Sequence, residues 1–232
     1  MVGNVGLTRI IGDIHGKWYD YQLLTSSITH NSIQVGDFGI GFNGSYWEDR
    51  VNDFHESKQH RFIRGNHDKP ETCKNEMVGY IPDGTVENDV MFVGGAWSID
   101  WKYRTDGIDW WRDEELSYNE FNNLIDIYSV AKPRIMITHD CPTLAAYYMF
   151  IKEGKTLGGK TLHLTKTGEA LQQMFEIHQP DFWFFGHWHH SKTQKIDGTT
   201  FICLDELDYI EVDLSDSDVI MSAVEQKFSK GV

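Results

Sequence analysis

Five short runs of β-branched and aromatic residues each end in a polar cluster rich in Gly, Asp and His. This pattern constrains the fold more than any other feature of the chain. Arg9-Ile10-Ile11 leads into Gly12-Asp13-Ile14-His15-Gly16, Ile33-Gln34-Val35 into Gly36-Asp37, and Arg61-Phe62-Ile63 into Arg64-Gly65-Asn66-His67-Asp68. Arg134-Ile135-Met136-Ile137 leads into Thr138-His139-Asp140, and Phe182-Trp183-Phe184-Phe185 into Gly186-His187-Trp188-His189. Each run is too brief for a helix and reads as a short buried strand.

Helical segments are predicted between these runs, over Trp18 to Ile28, Trp47 to Ser57, Ser117 to Val130 and Thr167 to His178. The third opens on Ser117 with Glu120 three residues on, a capping-box pattern. Strands alternating with helices argue for an α/β domain. Val90 to Trp111 reads as a strand followed by an irregular insert rich in rings (Trp97, Trp101, Tyr103, Trp110, Trp111). Asp197-Gly198 separates Lys192 to Ile196 from Thr199 to Leu204, a hairpin signal, and Tyr209 to Val212 adds another strand. The last fifteen residues fit a helix or a strand equally well. With no repeat, low-complexity tract or linker, residues 1–232 read as one domain.

Composition limits the partners. Asp and Glu number 35 against 21 Lys and Arg, a formal net charge of −14. Binding to long nucleic acid through a broadly basic surface is disfavoured, and an acidic chain acting on phosphates needs a local positive centre. The three cysteines (Cys73, Cys141, Cys203) show no CxxC spacing and read as reduced thiols of a cytoplasmic protein. No signal peptide is visible, and no apolar run reaches the length of a membrane span.

A centre of that kind is written into the strand ends. Every run delivers a potential metal ligand: Asp13 and His15, Asp37, Asn66, His139, then His187 and His189. In α/β sheets ligands gather beyond the carboxyl ends of strands, so residues distant in sequence are expected to meet on one rim. Asp-x-His and His-x-His place two side chains on one side of an extended segment. Seven candidates exceed the needs of one ion, and a carboxylate such as Asp37 can bridge two. Mixed N/O ligation without thiolate suits Mn, Fe, Zn, Ni or Co.

These five blocks, in this order, resemble those of calcineurin-like metallophosphoesterases, over roughly Arg9 to His189. The resemblance implies a four-layer α/β/β/α sandwich and two divalent metal ions, with manganese favoured. It assigns one ion to Asp13, His15, Asp37 and His189, and the other to Asp37, Asn66, His139 and His187. It implies hydrolysis of a phosphomonoester or phosphodiester by metal-bound hydroxide, with His67 assisting the leaving group as acid or by hydrogen bonding. Arg64, in the same loop, is a candidate phosphate contact, with loop packing as its alternative role.

One block departs from the Ser/Thr protein phosphatases of this superfamily. Their second block continues Gly-Asp-x-Val-Asp-Arg-Gly, whereas this chain reads Gly36-Asp37-Phe38-Gly39-Ile40-Gly41. The resemblance is therefore to the bacterial and phage branch, with Asp100 or Arg104 as candidates for the missing functions. Small or nucleotide-like phosphoesters are the expected substrates; a nuclease and a non-catalytic scaffold of the same fold are the alternatives. His30, His55, His60, His163 and His178 read as surface or helix residues, and alternation turns His190 away from His189. Asp68 and Asp140 read as loop braces, and Asp113-Glu114-Glu115 as a solvated face or a helix N-terminal turn.

Overall fold

The computed structural model describes residues 6–26, 31–44, 48–56, 59–152 and 162–229. Strands β1 (Leu7–Ile11), β2 (Asn31–Gln34) and β3 (His60–Phe62) run parallel, and β10 (Tyr209–Asp213) pairs antiparallel with β1. This first sheet has the order β10-β1-β2-β3. The second contains β4 (Val86–Glu87), β5 (Val90–Val93), β6 (Ile135–Thr138), β7 (Phe182–Phe185), β8 (Lys192–Ile196) and β9 (Thr199–Cys203), in the order β4-β5-β6-β7-β9-β8. Its four central strands are parallel; β4 and β8 are antiparallel edges.

Helices α1 (Trp18–Ser26) and α2 (Glu48–Glu56) connect the strands of the first sheet, and α3 (Pro70–Glu76) follows β3 on the way to the second. Helices α4 (Tyr118–Ala131), α5 (Thr143–Ala146) and α6 (Lys166–Ile177) belong to the second, and α7 (Ser217–Phe228) follows β10. The capping box predicted at Ser117 and Glu120 is present, and α6 is capped by Thr165, whose side chain accepts from the Gly168 amide.

Strand alternation explains the layering. In β7, Phe182 and Phe184 face the first sheet, whereas Trp183 and Phe185 face the helices. In β5 and β6, Phe92, Ile135 and Ile137 belong to the inter-sheet cluster, and Met91, Val93 and Met136 to the helical one. Across the middle layer these meet Ile10, Ile33, Ile210 and Val212 of the first sheet. Ile11 and Phe62 point the other way, onto Trp18, Tyr21, Val51 and Cys73 of α1 to α3. Three buried clusters thus separate four layers, the expected α/β/β/α sandwich. Strands covered on both faces must be apolar throughout, which is why β5, β6 and β7 are buried at every position.

Tyr209 to Val212 forms the expected strand, and it joins the first sheet beside β1. Of the last fifteen residues, those up to Phe228 are helical in α7, whose Ile220 and Val224 enter the inter-sheet cluster. His55 is a helix residue of α2 as expected, whereas His60 lies on β3, and both are buried because their rings fill the layer between α2 and the first sheet: Tyr21 bonds His55, and Phe54 stacks on His60. Ile28, Trp47, Ser57 and His30 lie outside the described residues.

Candidate metal centre

All five parallel strands that carry the sequence blocks point their carboxyl ends at one rim. Asp13 and His15 follow β1, Asp37 follows β2, Asn66 follows β3, His139 follows β6, and His187 and His189 follow β7. The structure brings Asp13, His15, Asp37 and His189 together as one group of donors, and Asp37, His139 and His187 as a second. Within each group the donor atoms lie within 4.8 Å of one another, and Asp37 belongs to both. Asn66 joins the second group, its Oδ1 lying 3.1 Å from His139 Nε2.

The local backbone is bent to achieve this. His15 (φ 47°), Asp37 (φ 57°), His187 (φ 63°) and His189 (φ 50°) are all left-handed. The segments are therefore turns rather than extended strands, which corrects the alternation argument for Asp-x-His and His-x-His. His187 and His189 in fact reach different donor groups. His190 stacks on Phe150 instead. Left-handed backbone at a non-glycine residue costs of order 1–3 kcal/mol and clusters at functional sites. Glycines allow the close approach: a Cβ at Gly65 would lie 2.1 Å from Asp37 Oδ1, and one at Gly186 2.1 Å from Asp13 Oδ1.

Charge is concentrated at this rim. Asp13 and Asp37 are buried at 0 % and 1 % exposure, and their carboxylates face His139, His15 and His189 at 3.2–3.7 Å. Burial alone would raise the Asp13 pKa, but hydrogen bonds from His15 and His189 hold it down at about 2. Burial likewise works against ionised Asp37, yet His67 and His139 keep it well below the usual carboxylate range. The converse holds for His139: burial would lower its pKa, but Asp37 lifts it to about 10. His187 is pushed down to about 4, mainly by burial. His139 Nδ1–H donates to the Val35 carbonyl at 2.8 Å, which fixes the ring with Nε2 toward the rim. Two buried carboxylates, four imidazoles and an amide oxygen, open at His189, form an O/N donor set that fits two divalent cations.

Behind the donors stands a second set of residues that sequence reasoning missed. Asn66 Nδ2 donates to Ser98 Oγ (3.0 Å), and Ser98 Oγ and N donate to the two carboxylate oxygens of Glu114 (2.5 and 2.9 Å). This strut turns the Asn66 oxygen toward His139. Glu114 and Glu115 are buried, at 3 % and 7 % exposure, which corrects their reading as a solvated run. Burial raises the Glu114 pKa. Glu115 accepts from the amide and hydroxyl of Thr167 at the start of α6. Asp68 does brace its loop, accepting from the amides of Phe38, Gly39, Ile40 and Gly65.

His67 and Arg64 part company. His67 sits at the rim: its amide donates to Asp37 Oδ1 (2.7 Å), and its ring stacks on Phe42 at 4.9 Å. Burial lowers its pKa, and nearby Arg104 adds to the effect against the pull of Asp37. Arg104 Nη2 lies 3.1 Å from His67 Nε2, and Asp100 holds Arg104 Nε at 2.6 Å. Arg64, by contrast, is wholly buried, with its guanidinium on Asp83 and on the carbonyls of Asp113 and Glu114. Of its two expected roles the geometry fits loop packing, because a side chain with no exposed surface cannot meet a phosphate. Arg104, from the aromatic insert, is the guanidinium at the rim.

Comparison with known proteins agrees with this architecture. The model of the calcineurin-like phosphoesterase family matches residues 8–191. No curated protein matches the chain. Among solved structures, a Staphylococcus aureus protein described as a 5′-nucleotidase, in complex with α-ketoglutarate, superposes with a TM-score of 0.52 at 13 % identity. The match covers 89 % of this chain and 50 % of that one, so the chain spans about half of that protein's length. The phosphopantetheinyl hydrolase of Mycobacterium tuberculosis gives 0.45 at 13 % identity, covering 86 % of this chain and 89 % of its own.

Proposed function

Because the chain belongs to the calcineurin-like phosphoesterases, we propose that it is a hydrolase of small or nucleotide-like phosphomonoesters or phosphodiesters, working with two divalent metal ions in the cytoplasm. The observation that carries the reading is the pair of donor groups sharing Asp37. Asp13, His15, Asp37 and His189 would hold one ion, and Asp37, Asn66, His139 and His187 the other, with manganese the favoured metal. Two cations there would acidify water and neutralise charge on the phosphoryl oxygens. They would also give an acidic chain the local positive centre that a phosphate needs.

The protein's own groups then supply position. Arg104 and His67, linked at 3.1 Å, stand at the rim where a phosphoryl or leaving oxygen would enter. Arg104 Nη2 can only donate, so His67 Nε2 accepts from it and aims the guanidinium.

Turnover of p-nitrophenyl phosphate and bis-p-nitrophenyl phosphate, with metal content measured on the same Mn²⁺-supplemented sample, tests the reading. Asp37→Asn and His139→Ala are expected to abolish both turnover and metal loading. Near-normal activity in either variant would overturn it.

A further inference from the structure

We propose that the cavity beside His187 is a subsite for one planar six-membered ring on the substrate's leaving group, an inference that rests on the phosphoesterase reading above. The cavity has a volume of about 150 Å³ and lies between the loop of Trp97, the chain from Asp140 to Ala146, and the segment around His163. His187, a member of the second donor group, lines it. The cavity therefore adjoins the candidate metal centre through His187.

Its walls are flat and firmly held. The Trp188 ring stacks on Phe150 at 4.6 Å and 6°, and its Nε1–H donates to Asp140 Oδ1 at 2.9 Å. Trp97 also lines the cavity, with the exposed His163 ring at 5.0 Å. Trp97 directly precedes Ser98, whose hydroxyl holds Asn66, so one wall and one candidate ligand share a loop. Ala146 and Gly168 add small surfaces.

Polarity and size select the occupant. Asp140 Oδ1 already accepts from the Cys141 amide and Trp188, and Thr165 Oγ1 accepts from the Gly168 amide. The negative charge of Asp140 repels an anion, so the phosphoryl group belongs at the donor groups and an uncharged group belongs here. An apolar protein cavity of roughly 150 Å³ takes one benzene molecule. A ring in a cavity lined by two indoles gains from area burial and from aromatic contact.

The test compares benzylphosphonate with methylphosphonate, which differ by the ring and are not hydrolysed, binding to the full chain with Mn²⁺ present. Titration calorimetry is expected to show benzylphosphonate binding about tenfold tighter. Trp97→Ala, which removes a wall, and Thr143→Phe, which fills the space, should each bring the ratio close to one and leave methylphosphonate unchanged. Parity in the unmodified protein, no binding of benzylphosphonate, or an advantage that survives both substitutions overturns the subsite. Hydrolysis of benzyl and methyl phosphate, run in parallel, separates the two readings. Turnover with parity of the phosphonates removes the subsite alone, whereas a kept ring preference without turnover of these esters, of p-nitrophenyl phosphate or of bis-p-nitrophenyl phosphate removes the phosphoesterase reading and leaves the ring site standing.

Discussion

Replacing Ser98 by Ala cuts the strut behind Asn66. Two hydrogen bonds go: the one Ser98 Oγ accepts from Asn66 Nδ2 and the one it donates to Glu114 Oε2, at 3.0 and 2.5 Å. All three residues are buried, at 2–3 % exposure, so water does not readily replace either bond. A neutral bond contributes about 1 kcal/mol and one to a carboxylate about 1.5–3 kcal/mol, which sums to a destabilisation of about 2.5–4 kcal/mol. The Ser98 amide still donates to Glu114, so the loop keeps one anchor. The larger consequence lies at the rim. Without Ser98 the Asn66 amide is free to turn and present its NH₂ group, a donor that cannot ligate a cation. Loss of such an orienting partner typically weakens metal binding 10–100-fold. Urea unfolding and Mn²⁺ titration calorimetry measure the two effects separately. If Ser98→Ala loses stability but keeps its Mn²⁺ affinity, Ser98 anchors the loop and does not orient the ligand. If neither changes, the account of the strut is wrong.

Other predictions follow from particular contacts. If His67 works by aiming Arg104, His67→Ala and Arg104→Ala should each slow turnover of p-nitrophenyl phosphate while keeping both metals, and the double variant should be no slower than the worse single one; additive losses in the cycle would show that the two act independently. Gly186→Ala places a Cβ 2.1 Å from Asp13 Oδ1 and should lower stability by about 1–3 kcal/mol together with metal loading, read from melting and metal content; an unperturbed variant would contradict the packing described. His55 donates from Nδ1 to the Val78 carbonyl and accepts from Tyr21 at Nε2, 3.0 Å each, and burial lowers its pKa. Its unfolded value is about 6.5, so below that pH the unfolded chain binds more protons and stability falls as pH drops toward the folded value. Unfolding free energies of His55→Gln should therefore decline less between about pH 7 and 5 than those of the unmodified protein, and parallel profiles would refute the assignment.

The strands that carry the blocks were legible because short, largely apolar stretches end in polar clusters bearing Asp, Asn or His, and those ends directed attention to the rim. Helix α4 was legible through its capping box. Helix α3 was not, since Pro70 to Glu76 lacks an apolar periodicity and is held by its packing around Cys73. The candidate ligands lie at the ends of recognisable strands, so their meeting could be anticipated from topology. Their conformation could not: left-handed His187 and His189 depend on the crowding of Gly186 against Asp13, a contact across 173 residues of sequence. Arg64 and Arg104 show the same limit. Both are arginines near a motif, and only the partner of each decides its place: Asp83 draws one inward, whereas Asp100 and His67 hold the other at the rim. Glu114 sat in an acidic run, with nothing in the sequence to single it out, until Ser98 and Asn66 came to face it.

The two donor groups do not belong to one sheet. Asp13, His15 and Asp37 hang from the first sheet, and His139, His187 and His189 from the second, so every group is a clasp across two leaves. Catalytic and binding constellations tolerate displacements of only about 0.5 Å. The sliding of one leaf over the other must be held within that margin by the rings and branched chains between them, Phe92, Phe182 and Phe184 against Ile10, Ile33 and Val212. These residues are not themselves candidate ligands, yet they set the gauge of the clasp. A change of shape there that leaves the fold intact would spread or skew both groups at once, so the spine of the book governs how its open edge grips.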